Sequence, residues 1–251
     1  MLTPERHRII LELLEEKEVI KLHELVEATS SSESTIRRDL SQLEKNKKLK
    51  RVHGGASLLK QKGAELSIHE KSTINLHEKE AVAKYAAGLI KDGDCIFLDA
   101  GTTTFQMIKH ITAKDIKIVT NGLTHLEALL ERNIDTFLTG GYIKRKTKAL
   151  IGRGAVDGLK NYQFDKSFIG VNGIHPIYGF TTPDPEEAAV KELAVRLGQK
   201  VYVLADHTKF HEVTFAKVAD LGAGTVLTNE TDQEMLEEFK GDLSFEVVPT
   251  V

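Results

Sequence analysis

Two groups of residues in this chain have types and spacings that could do chemistry. One is basic: residues 33–62 hold nine Lys or Arg and three acidic residues, in a chain whose formal net charge is −3. The other is polar and glycine-rich, and its members follow short apolar runs in residues 93–210. Cations and small hydroxyls suit the phosphates and base edges of a nucleic acid. Hydroxyls, carboxylates and lysines at strand ends suit a small phosphorylated molecule.

The basic group is centred on a predicted helix. Ile36, Leu40 and Leu43 recur at helical spacing in "ESTIRRDLSQLEKN", and Ser32 is a suitable N-cap. At about 100° per residue, the face opposite this apolar stripe collects Ser34, Arg37, Arg38, Ser41 and Lys45. Such a face suits a recognition helix in the major groove of DNA, although a charged stripe alone is equally typical of a solvated helix face.

The flanking segments complete a winged helix-turn-helix pattern. Helices are predicted over "TPERHRIILELLEEK" and "LHELVEA", and the turn "TSSSE" leads into the basic helix. The next segment, "LKRVHGGA", is short, extended and basic, as a wing is. We therefore predict a winged helix-turn-helix DNA-binding domain over residues 1–56. Its predicted DNA-binding residues are Ser34, Thr35, Arg37, Arg38, Ser41, Lys45, Arg51 and His53.

The rest of the chain predicts an α/β domain. From Gly93 onward, apolar runs of strand length end in polar residues, as in "CIFLDAGTTT", "IKIVTNG", "DTFLTGG", "KSFIGVNG" and "KVYVLADHTKF". Continuous apolar runs indicate strands buried on both faces, and their alternation with helices indicates a parallel sheet. A helix over "LHEKEAVAKYAAGLI" has Ala83, Ala86, Ala87 and Ile90 as its inner face. We predict this domain over residues 75–251, after a linker over residues 57–74.

The polar strand ends predict a ligand site, because ligands of open parallel sheets bind at the carboxyl ends of the strands. In "DAGTTT" the glycine permits a close turn, and three threonines begin a helix whose dipole favours an anion. Taken singly, each candidate is better explained as a turn glycine or a solvated charge. Together they suit a sugar phosphate. The predicted effector-binding residues are Asp99, Gly101, Thr102, Thr103, Thr104, Asn121, Gly122, Gly141, Lys148, Asp165, Gly173, Glu186 and Lys209.

Both halves of the chain resemble one known family. The run from "PERHRIILELLEE" through "STIRRDLSQLEKNKKLKRVHGGA" is similar to the N-terminal domain of the DeoR family of bacterial transcription regulators. Ser31 departs from that pattern, since the family more often has a branched apolar residue there. "GDCIFLDAGTTT", "VTNG", "FDKSFIGVNGI", "GFTTPDPEEA" and "LADHTKF" are similar to the effector domain of the family. Within it, the chain looks most like the fructose-operon repressors of Gram-positive bacteria.

The resemblance implies a fold and a function. The effector domain should have a fold similar to ribose-5-phosphate isomerase, glucosamine-6-phosphate deaminase and the CoA transferases. The protein should repress a sugar-utilisation operon and leave its operator DNA when a phosphorylated sugar binds, with fructose 1-phosphate as the implied inducer. A repressor that responds to another phosphosugar, such as tagatose 6-phosphate, is an alternative. Because one winged helix reads few base pairs, we expect a homo-oligomer, a dimer or a tetramer.

An enzyme is the main alternative to a regulator. Related folds isomerise or deaminate sugar phosphates, and Asp99, Asp165, Glu186 and Lys209 could supply a base and a stabilising cation. A metabolic isomerase would not need the N-terminal domain, so we predict no catalytic residues. His207 and His211 lie four apart, but no glutamate stands between them and no third ligand is evident, so neither a metal nor a cofactor is expected.

Composition indicates a soluble cytoplasmic protein. The chain has 251 residues, of which 41% are hydrophobic and 28% charged, and this is enough for a small and a larger domain with real cores. Its single cysteine, Cys95, cannot form an internal disulfide, which fits a reducing compartment. No apolar run approaches about 18 residues and no signal-peptide pattern opens the chain, so we expect no membrane partner.

Overall fold

The computed structural model describes residues 2–17, 19–46, 48–52, 55–58 and 66–248. The chain divides into two compact units, Met1–Ala64 and Glu65–Val251. In the described residues, the first unit has one hydrophobic core and the second has two, one on each side of a central sheet. Elements are numbered below in chain order.

The described residues of the first unit form three helices and a small antiparallel sheet. The helices are α1 (Thr3–Lys17), α2 (Leu22–Thr29) and α3 (Glu33–Lys45). The strands are β1 (Val19–Lys21), β2 (Leu49–Val52) and β3 (Gly55–Leu58), in the order β1-β3-β2. The three predicted helices are confirmed, and so is the cap of α3, because the Ser32 hydroxyl accepts a hydrogen bond from the Thr35 N–H at 3.3 Å. Helices α2 and α3 form the predicted helix-turn-helix, and the β2–β3 hairpin forms the predicted wing.

The second unit alternates helices and strands. Its helices are α4 (Ile68–Thr73), α5 (Leu76–Gly88), α6 (Thr102–Met107), α7 (His125–Glu131), α8 (Gly152–Leu159), α9 (Pro185–Leu197) and α10 (Gln233–Glu237). Its strands are β4 (Cys95–Leu98), β5 (Lys117–Thr120), β6 (Asp135–Leu138), β7 (Tyr142–Lys144), β8 (Ala149–Ile151), β9 (Phe164–Gly170), β10 (Gly173–His175), β11 (Gly179–Thr182), β12 (Gly198–Leu204), β13 (Ala216–Ala219), β14 (Thr225–Thr228) and β15 (Ser244–Val247).

A parallel sheet organises this unit. Within residues 66–248 it has seven strands in the order β15-β14-β12-β9-β4-β5-β6, and every neighbouring pair is parallel. The predicted fold class, α/β with a parallel sheet, is therefore confirmed. The strand order reverses between β4 and β9, so the crevice where a doubly wound sheet binds its ligand lies at the carboxyl ends of these two strands.

The structure also contains elements that the sequence did not predict. β10, β11 and β13 form a separate antiparallel sheet, and β7 pairs with β8 as a hairpin. The prediction that "DTFLTGG" is buried on both faces is wrong for β6, whose Phe137 and Leu138 are 43% and 37% exposed. β6 is the edge strand of the sheet, so it has a neighbour on one side only. None of the helices in the described ranges is long and apolar enough to span a membrane.

The range predicted as a linker, residues 57–74, is not irregular throughout its described part. It contains the end of β3 and the whole of α4. "SIHE" begins this short helix as a capping box: Ser67 Oγ accepts from the Glu70 N–H at 3.3 Å, and the Ser67 N–H donates to Glu70 Oε2 at 2.7 Å. Residues 59–65 lie outside the described residues.

Candidate DNA-binding face and effector site

Helix α3 exposes the predicted basic face. Ile36, Leu40 and Leu43 are buried in the first unit, and the exposed residues of the opposite face are Ser34, Arg37, Arg38, Ser41 and Lys45. Arg37 forms an i,i+4 ion pair with Glu33, with Nη2 2.6 Å from Oε1. This pair is exposed, so it is weak and leaves the guanidinium available to a stronger partner.

Two of the other predicted DNA-binding residues have specific positions. The Thr35 hydroxyl is 2.8 Å from the Ser32 hydroxyl, so it belongs to the N-terminal cap of α3. Arg51 lies in β2, the first strand of the wing hairpin. His53 lies outside the described residues.

Asp99 is the centre of the polar cluster at the carboxyl edge of the parallel sheet. It follows β4 and is 1% exposed. Lys191 on α9 donates to Asp99 Oδ2, and the Gly170 N–H at the end of β9 donates to the same oxygen at 3.0 Å. Among the described residues Oδ1 has no hydrogen-bond partner. Because an unsatisfied buried carboxylate oxygen is costly, Oδ1 is suited to accept a hydrogen bond from a ligand hydroxyl.

Hydrogen bonds to its own backbone stabilise the loop after Asp99. Thr104 Oγ1 lies 2.6 Å from the Asp99 carbonyl oxygen, and the Gly101 N–H donates to this hydroxyl at 3.0 Å. The Ala100 N–H donates to Asn121 Oδ1 at 2.9 Å, which joins the loop after β4 to the loop after β5. In contrast to Thr104, the hydroxyls of Thr102 and Thr103 have no partner in the described part of the chain.

His125 lies beneath this loop and is fully buried at the start of α7. Its Nε2 is 3.4 Å from Thr104 Oγ1, and its Nδ1 is 3.3 Å from Thr124 Oγ1. Burial lowers the pKa of His125 to about 4, against a smaller opposing contribution from the backbone of Asp99. The imidazole is therefore neutral at physiological pH, and it supports the loop as an uncharged group.

Asp206 forms a second polar cluster at the same edge of the sheet. It follows β12, which is separated from β4 by β9, so Asp206 and Asp99 are about 10 Å apart across the sheet. The Thr208 N–H donates to Asp206 Oδ1 at 3.0 Å, and Asn75 Nδ2 donates to it at 3.3 Å. Burial raises the pKa of Asp206, but the charge of Lys209, the hydrogen bonds from the hydroxyl and the N–H of Thr208, and the charge of Lys79 outweigh it and hold the pKa below its usual value.

Lys79 on α5 is the unexpected member of this cluster. It is 6% exposed and donates a hydrogen bond to the Lys71 carbonyl oxygen on α4. Burial lowers the pKa of Lys79 to about 8; the carboxylate of Asp206 opposes this shift, and the charges of Lys209 and Lys71 add to it. Because the charges of Lys79 and Lys209 both act on the one buried carboxylate of Asp206, and Lys71 adds a positive charge near Lys79, an additional anion would be stabilised here.

The β7–β8 hairpin borders the site. Lys148 adopts a left-handed conformation, φ 55°, and its carbonyl oxygen accepts from the Leu123 N–H at 3.0 Å in the loop after β5. Lys144 Nζ lies 2.8 Å from Asp184 Oδ2 and 3.1 Å from Glu187 Oε1. These ion pairs attach the hairpin to the start of α9, the helix that carries Lys191.

Most of the predicted effector residues lie together at the carboxyl edge of the sheet. They are Asp99, Gly101, Thr102, Thr103, Thr104, Asn121, Gly122, Gly141 and Lys209. Lys148 and Glu186 lie beside this edge, on the β7–β8 hairpin and at the start of α9. Glu186 is exposed, whereas the neighbouring Glu187 is buried and bound to Lys144.

Asp165 must be removed from the predicted site. It is the second residue of β9, at the amino edge of the sheet, and its Oδ2 accepts a hydrogen bond from the Cys95 N–H at 2.8 Å. Five steps along the extended strand separate it from Gly170, which amounts to about 17 Å. Asp165 therefore caps the start of β4 and does not reach the ligand edge.

Two of the predicted glycines have a packing role. Gly141 has φ +107°, and a Cβ there would lie 2.5 Å from the carbonyl oxygen of Ile151. Gly173 lies in β10 of the antiparallel sheet, where the backbone of Glu212 occupies the space of a side chain. Close backbone approach therefore explains both glycines without a ligand.

The sequence prediction missed four side chains that the structure brings to the site: Lys191, Asn75, Lys79 and His125. Lys191 and His125 are not among the predicted effector residues. Asn75 is the first residue of the predicted second domain, and Lys79 lies in the helix predicted over "LHEKEAVAKYAAGLI". Helical spacing is the sequence signal that could have identified Lys79 as a buried residue, because Lys79 lies on the same stripe of α5 as Val82, Ala83 and Ala86.

The two histidines considered as metal ligands have different partners. His207 Nδ1 lies 3.3 Å from Asn229 Nδ2, and His211 Nε2 lies 3.6 Å from Glu238 Oε2. Within the described ranges, no group of three His, Cys, Asp or Glu side chains is arranged to hold a metal ion.

Comparison with known proteins finds the same two-part organisation. Residues 6–62 match the DeoR-like helix-turn-helix domain, and residues 74–244 match the DeoR C-terminal sensor domain. A relative named as the uncharacterized HTH-type transcriptional regulator FruR of Bacillus subtilis (strain 168) is 47% identical over 249 residues, which cover 99% of each chain. The lactose phosphotransferase system repressor of Staphylococcus aureus (strain NCTC 8325 / PS 47) is 34% identical over 94% of this chain and 96% of its own.

Among solved structures, ribose 5-phosphate isomerase A from Neisseria gonorrhoeae aligns with 53% of this chain and 52% of its own, with a TM-score of 0.40 and 13% identity. The domain matches span most of the chain, and they coincide with the basic recognition helix of the first unit and the polar sheet edge of the second. This chain belongs to the DeoR family of transcriptional regulators.

Proposed function

We propose that this protein represses a sugar-utilisation operon, binding operator DNA through α3 and the β2–β3 wing and leaving it when a phosphorylated sugar binds the second unit. The observation that carries the proposal is the Lys79 cluster. Burial and the charges of Lys209 and Lys71 lower the pKa of Lys79 to about 8 at the ligand edge of a parallel sheet, although the Asp206 carboxylate opposes this shift. A phosphate dianion would oppose it further.

The sugar part of the ligand has a separate partner. Asp99 Oδ1 is buried and accepts no hydrogen bond from the described residues. It lies about 10 Å across the sheet from the Asp206 cluster. We propose that hydroxyls of the sugar donate to Asp99 Oδ1, while the phosphate lies between Lys79, Lys209 and the start of α6. α4 and α5 both pack against α6, so these groups border one region.

We propose fructose 1-phosphate as the effector. The support is the relative named FruR, which is 47% identical along almost the whole chain, whereas the lactose phosphotransferase system repressor is 34% identical. Tagatose 6-phosphate is the alternative ligand, and it carries the same combination of a phosphate and hydroxyls. We also propose that the protein acts in the cytoplasm as a homo-oligomer, a dimer or a tetramer, because paired recognition helices multiply specificity.

Helix α4 offers a route from the effector site to the segment that follows the DNA-binding unit in the chain. None of its residues is buried, and hydrogen bonds attach it to neighbouring segments. The Ile68 N–H donates to the Lys146 carbonyl oxygen at 2.9 Å, and Lys79 donates to the carbonyl oxygen of Lys71. Because Lys79 also belongs to the proposed phosphate site, a bound effector would act on α4. Ligand binding and DNA binding would then oppose each other reciprocally.

The experiment is a thermal-shift panel followed by a DNA-binding assay. The panel comprises fructose 1-phosphate, fructose 6-phosphate, fructose 1,6-bisphosphate, tagatose 6-phosphate, glucosamine 6-phosphate, glycerol 3-phosphate and inorganic phosphate. A ligand at 100 times its dissociation constant stabilises by about 2.7 kcal/mol. We expect fructose 1-phosphate to give the largest shift and to release DNA selected by the protein from a random pool. Lys209→Ala should still bind this DNA but should no longer release it.

Other outcomes revise the proposal in specific ways. A larger shift with another sugar phosphate would change the effector, and no shift with any compound would overturn the effector site. The buried Asp99–Lys191 pair also resembles the carboxylate and cation of an isomerase site, so turnover should be measured with the same compounds. Turnover of about 1 per second or faster would favour an enzyme over a sensor.

A further inference from the structure

The recognition helix α3 contains a carboxylate that its DNA-binding role does not explain. Asp39 follows Arg37 and Arg38 in a helix whose outward face is basic, but Asp39 itself is only 3% exposed. It shares the inner stripe with Ile36 and Leu40. A buried carboxylate is costly unless it is paired, so its partners on the neighbouring helix are informative.

Those partners are consecutive residues of α1. Arg6 Nε donates to Asp39 Oδ2 at 2.7 Å, and Arg6 Nη2 donates to Oδ1 at 3.1 Å, so the guanidinium engages both carboxylate oxygens. His7 Nε2 lies 3.2 Å from Oδ1. Arg6 Nη2 also donates to Thr3 Oγ1 at 3.1 Å, which fixes the guanidinium at the start of α1. α1 and α3 are therefore joined by a directional contact across 33 residues of sequence.

Stability alone does not account for this contact. Buried ion pairs add little net stability relative to well-packed apolar residues, because the desolvation of two charges offsets their attraction. The apolar core formed by Ile10, Leu14, Ile36 and Leu40 already packs the helices of this unit together. The contact between Arg6 and Asp39 instead constrains orientation. Two parallel hydrogen bonds from a planar guanidinium fix both the rotation and the axial position of the carboxylate.

We propose that Asp39 is a positioning residue for sequence recognition: through Arg6 it fixes the rotation of α3 about its own axis. Apolar contacts are non-directional, and one residue corresponds to about 100° of rotation, so a modest rolling of α3 would displace Arg37 and Arg38 from the bases. Hydrogen bonds to base edges require this alignment, whereas attraction to the DNA backbone depends mainly on charge.

Asp39→Asn separates positioning from electrostatics, because the two roles predict opposite signs. The substitution removes a negative charge from a basic helix, so a purely electrostatic role predicts tighter binding to every DNA. Positioning predicts that affinity for a duplex selected by the wild-type protein falls at least tenfold, while affinity for a random duplex stays equal or rises. Fluorescence anisotropy at two salt concentrations measures both affinities, and an unchanged ratio between them would overturn the proposal.

A second pair of variants keeps the test valid if Asp39→Asn folds poorly. The double variant Arg6→Met/Asp39→Leu replaces the ion pair by apolar side chains, and we expect it to remain folded by circular dichroism and to lose specific binding to the same extent. Arg8→Met is the matched control, since Arg8 lies on the same helix in an exposed pair with Glu12. A folded double variant with wild-type specificity would show that the contact is merely structural.

Discussion

Lys191 on α9 and Asp99 after β4 form a buried ion pair, although 92 positions separate them in the chain. The side chains are 8% and 1% exposed. The pair attaches α9 to the carboxyl edge of the parallel sheet and occupies Asp99 Oδ2 together with the Gly170 N–H. It thereby determines which carboxylate oxygen remains for a ligand.

Removing one partner of this pair should destabilise the second unit. We expect Lys191→Met to lower the free energy of unfolding by about 3–5 kcal/mol, because it leaves the Asp99 carboxylate buried without its cation. Urea denaturation followed by circular dichroism measures the change. The double variant Asp99→Leu/Lys191→Met should recover a large part of the loss. Arg196→Met, on the exposed side of the same helix, should cost at most about 1 kcal/mol.

Substitutions on α3 should separate DNA binding from effector binding. Arg38→Ala should weaken binding to the selected duplex by about 1–3 kcal/mol if the guanidinium contacts a base, with an unchanged thermal shift by fructose 1-phosphate. Arg153→Ala is the control, because Arg153 has a 95% exposed side chain in the second unit and the same charge. Equal losses from both substitutions, measured by fluorescence anisotropy, would point to net charge and away from the α3 face.

Lys79 should take up protons when the effector binds. Its folded pKa of about 8 lies below that of a free lysine, so near pH 8 about half of the molecules carry a neutral amine. A phosphate dianion would raise this pKa, and calorimetry at pH 8 in buffers of different ionisation enthalpy should detect uptake of up to about half a proton. Lys79→Arg, which stays charged, should show no such uptake; equal uptake by this variant would exclude Lys79 as its source.

The same pKa shift predicts how stability depends on pH. Between about pH 8 and 10 the unfolded chain holds a proton on Lys79 that the folded protein has released, so unfolding takes up protons. The contribution of Lys79 to the free energy of unfolding should therefore increase as the pH rises through this window. Urea titrations of wild type and Lys79→Met at pH 7.5 and 9.5 should show a smaller increase in the variant.

His125 should contribute to acid sensitivity. Because burial lowers its pKa to about 4, the unfolded state binds a proton between about pH 6.5 and 4 that the folded state does not bind. The free energy of unfolding therefore has its full value, as far as His125 is concerned, above about pH 6.5. It should fall by roughly 3 kcal/mol as the pH falls to 4. His125→Gln should flatten this part of the stability profile.

Effector binding should protect α4 from hydrogen exchange. A dianion between Lys71 and Lys79 would convert their repulsion into a shared attraction, so amides 69–73 should exchange more slowly with saturating fructose 1-phosphate. Ser67→Ala removes the cap and should speed exchange in the free protein. If the ligand raises the melting temperature but leaves these amides unchanged, α4 does not respond to the site.

The sequence alone determined the helices of the first unit, the parallel strands of the second and the faces of the basic helix. Helical spacing placed Ile36, Leu40 and Leu43 inside and Arg37 and Arg38 outside, because a helix rotates by a fixed angle per residue. Continuous apolar runs gave the parallel sheet, and the polar residues after them marked its carboxyl edge. These features depend on local geometry and on burial, and the types and spacing of neighbouring residues predict both.

The tertiary structure alone decided which side chains meet. Lys191 reaches Asp99, Lys79 joins Asp206, and Arg6 holds Asp39, in each case across a long stretch of chain, and residue spacing carries no signal for such pairs. It also decided which end of a strand each polar residue occupies, so Asp165 proved to lie at the amino edge and β6 at the side of the sheet. Charge pairing and strand order are properties of the packed chain, because distant elements must first be brought together before their side chains interact.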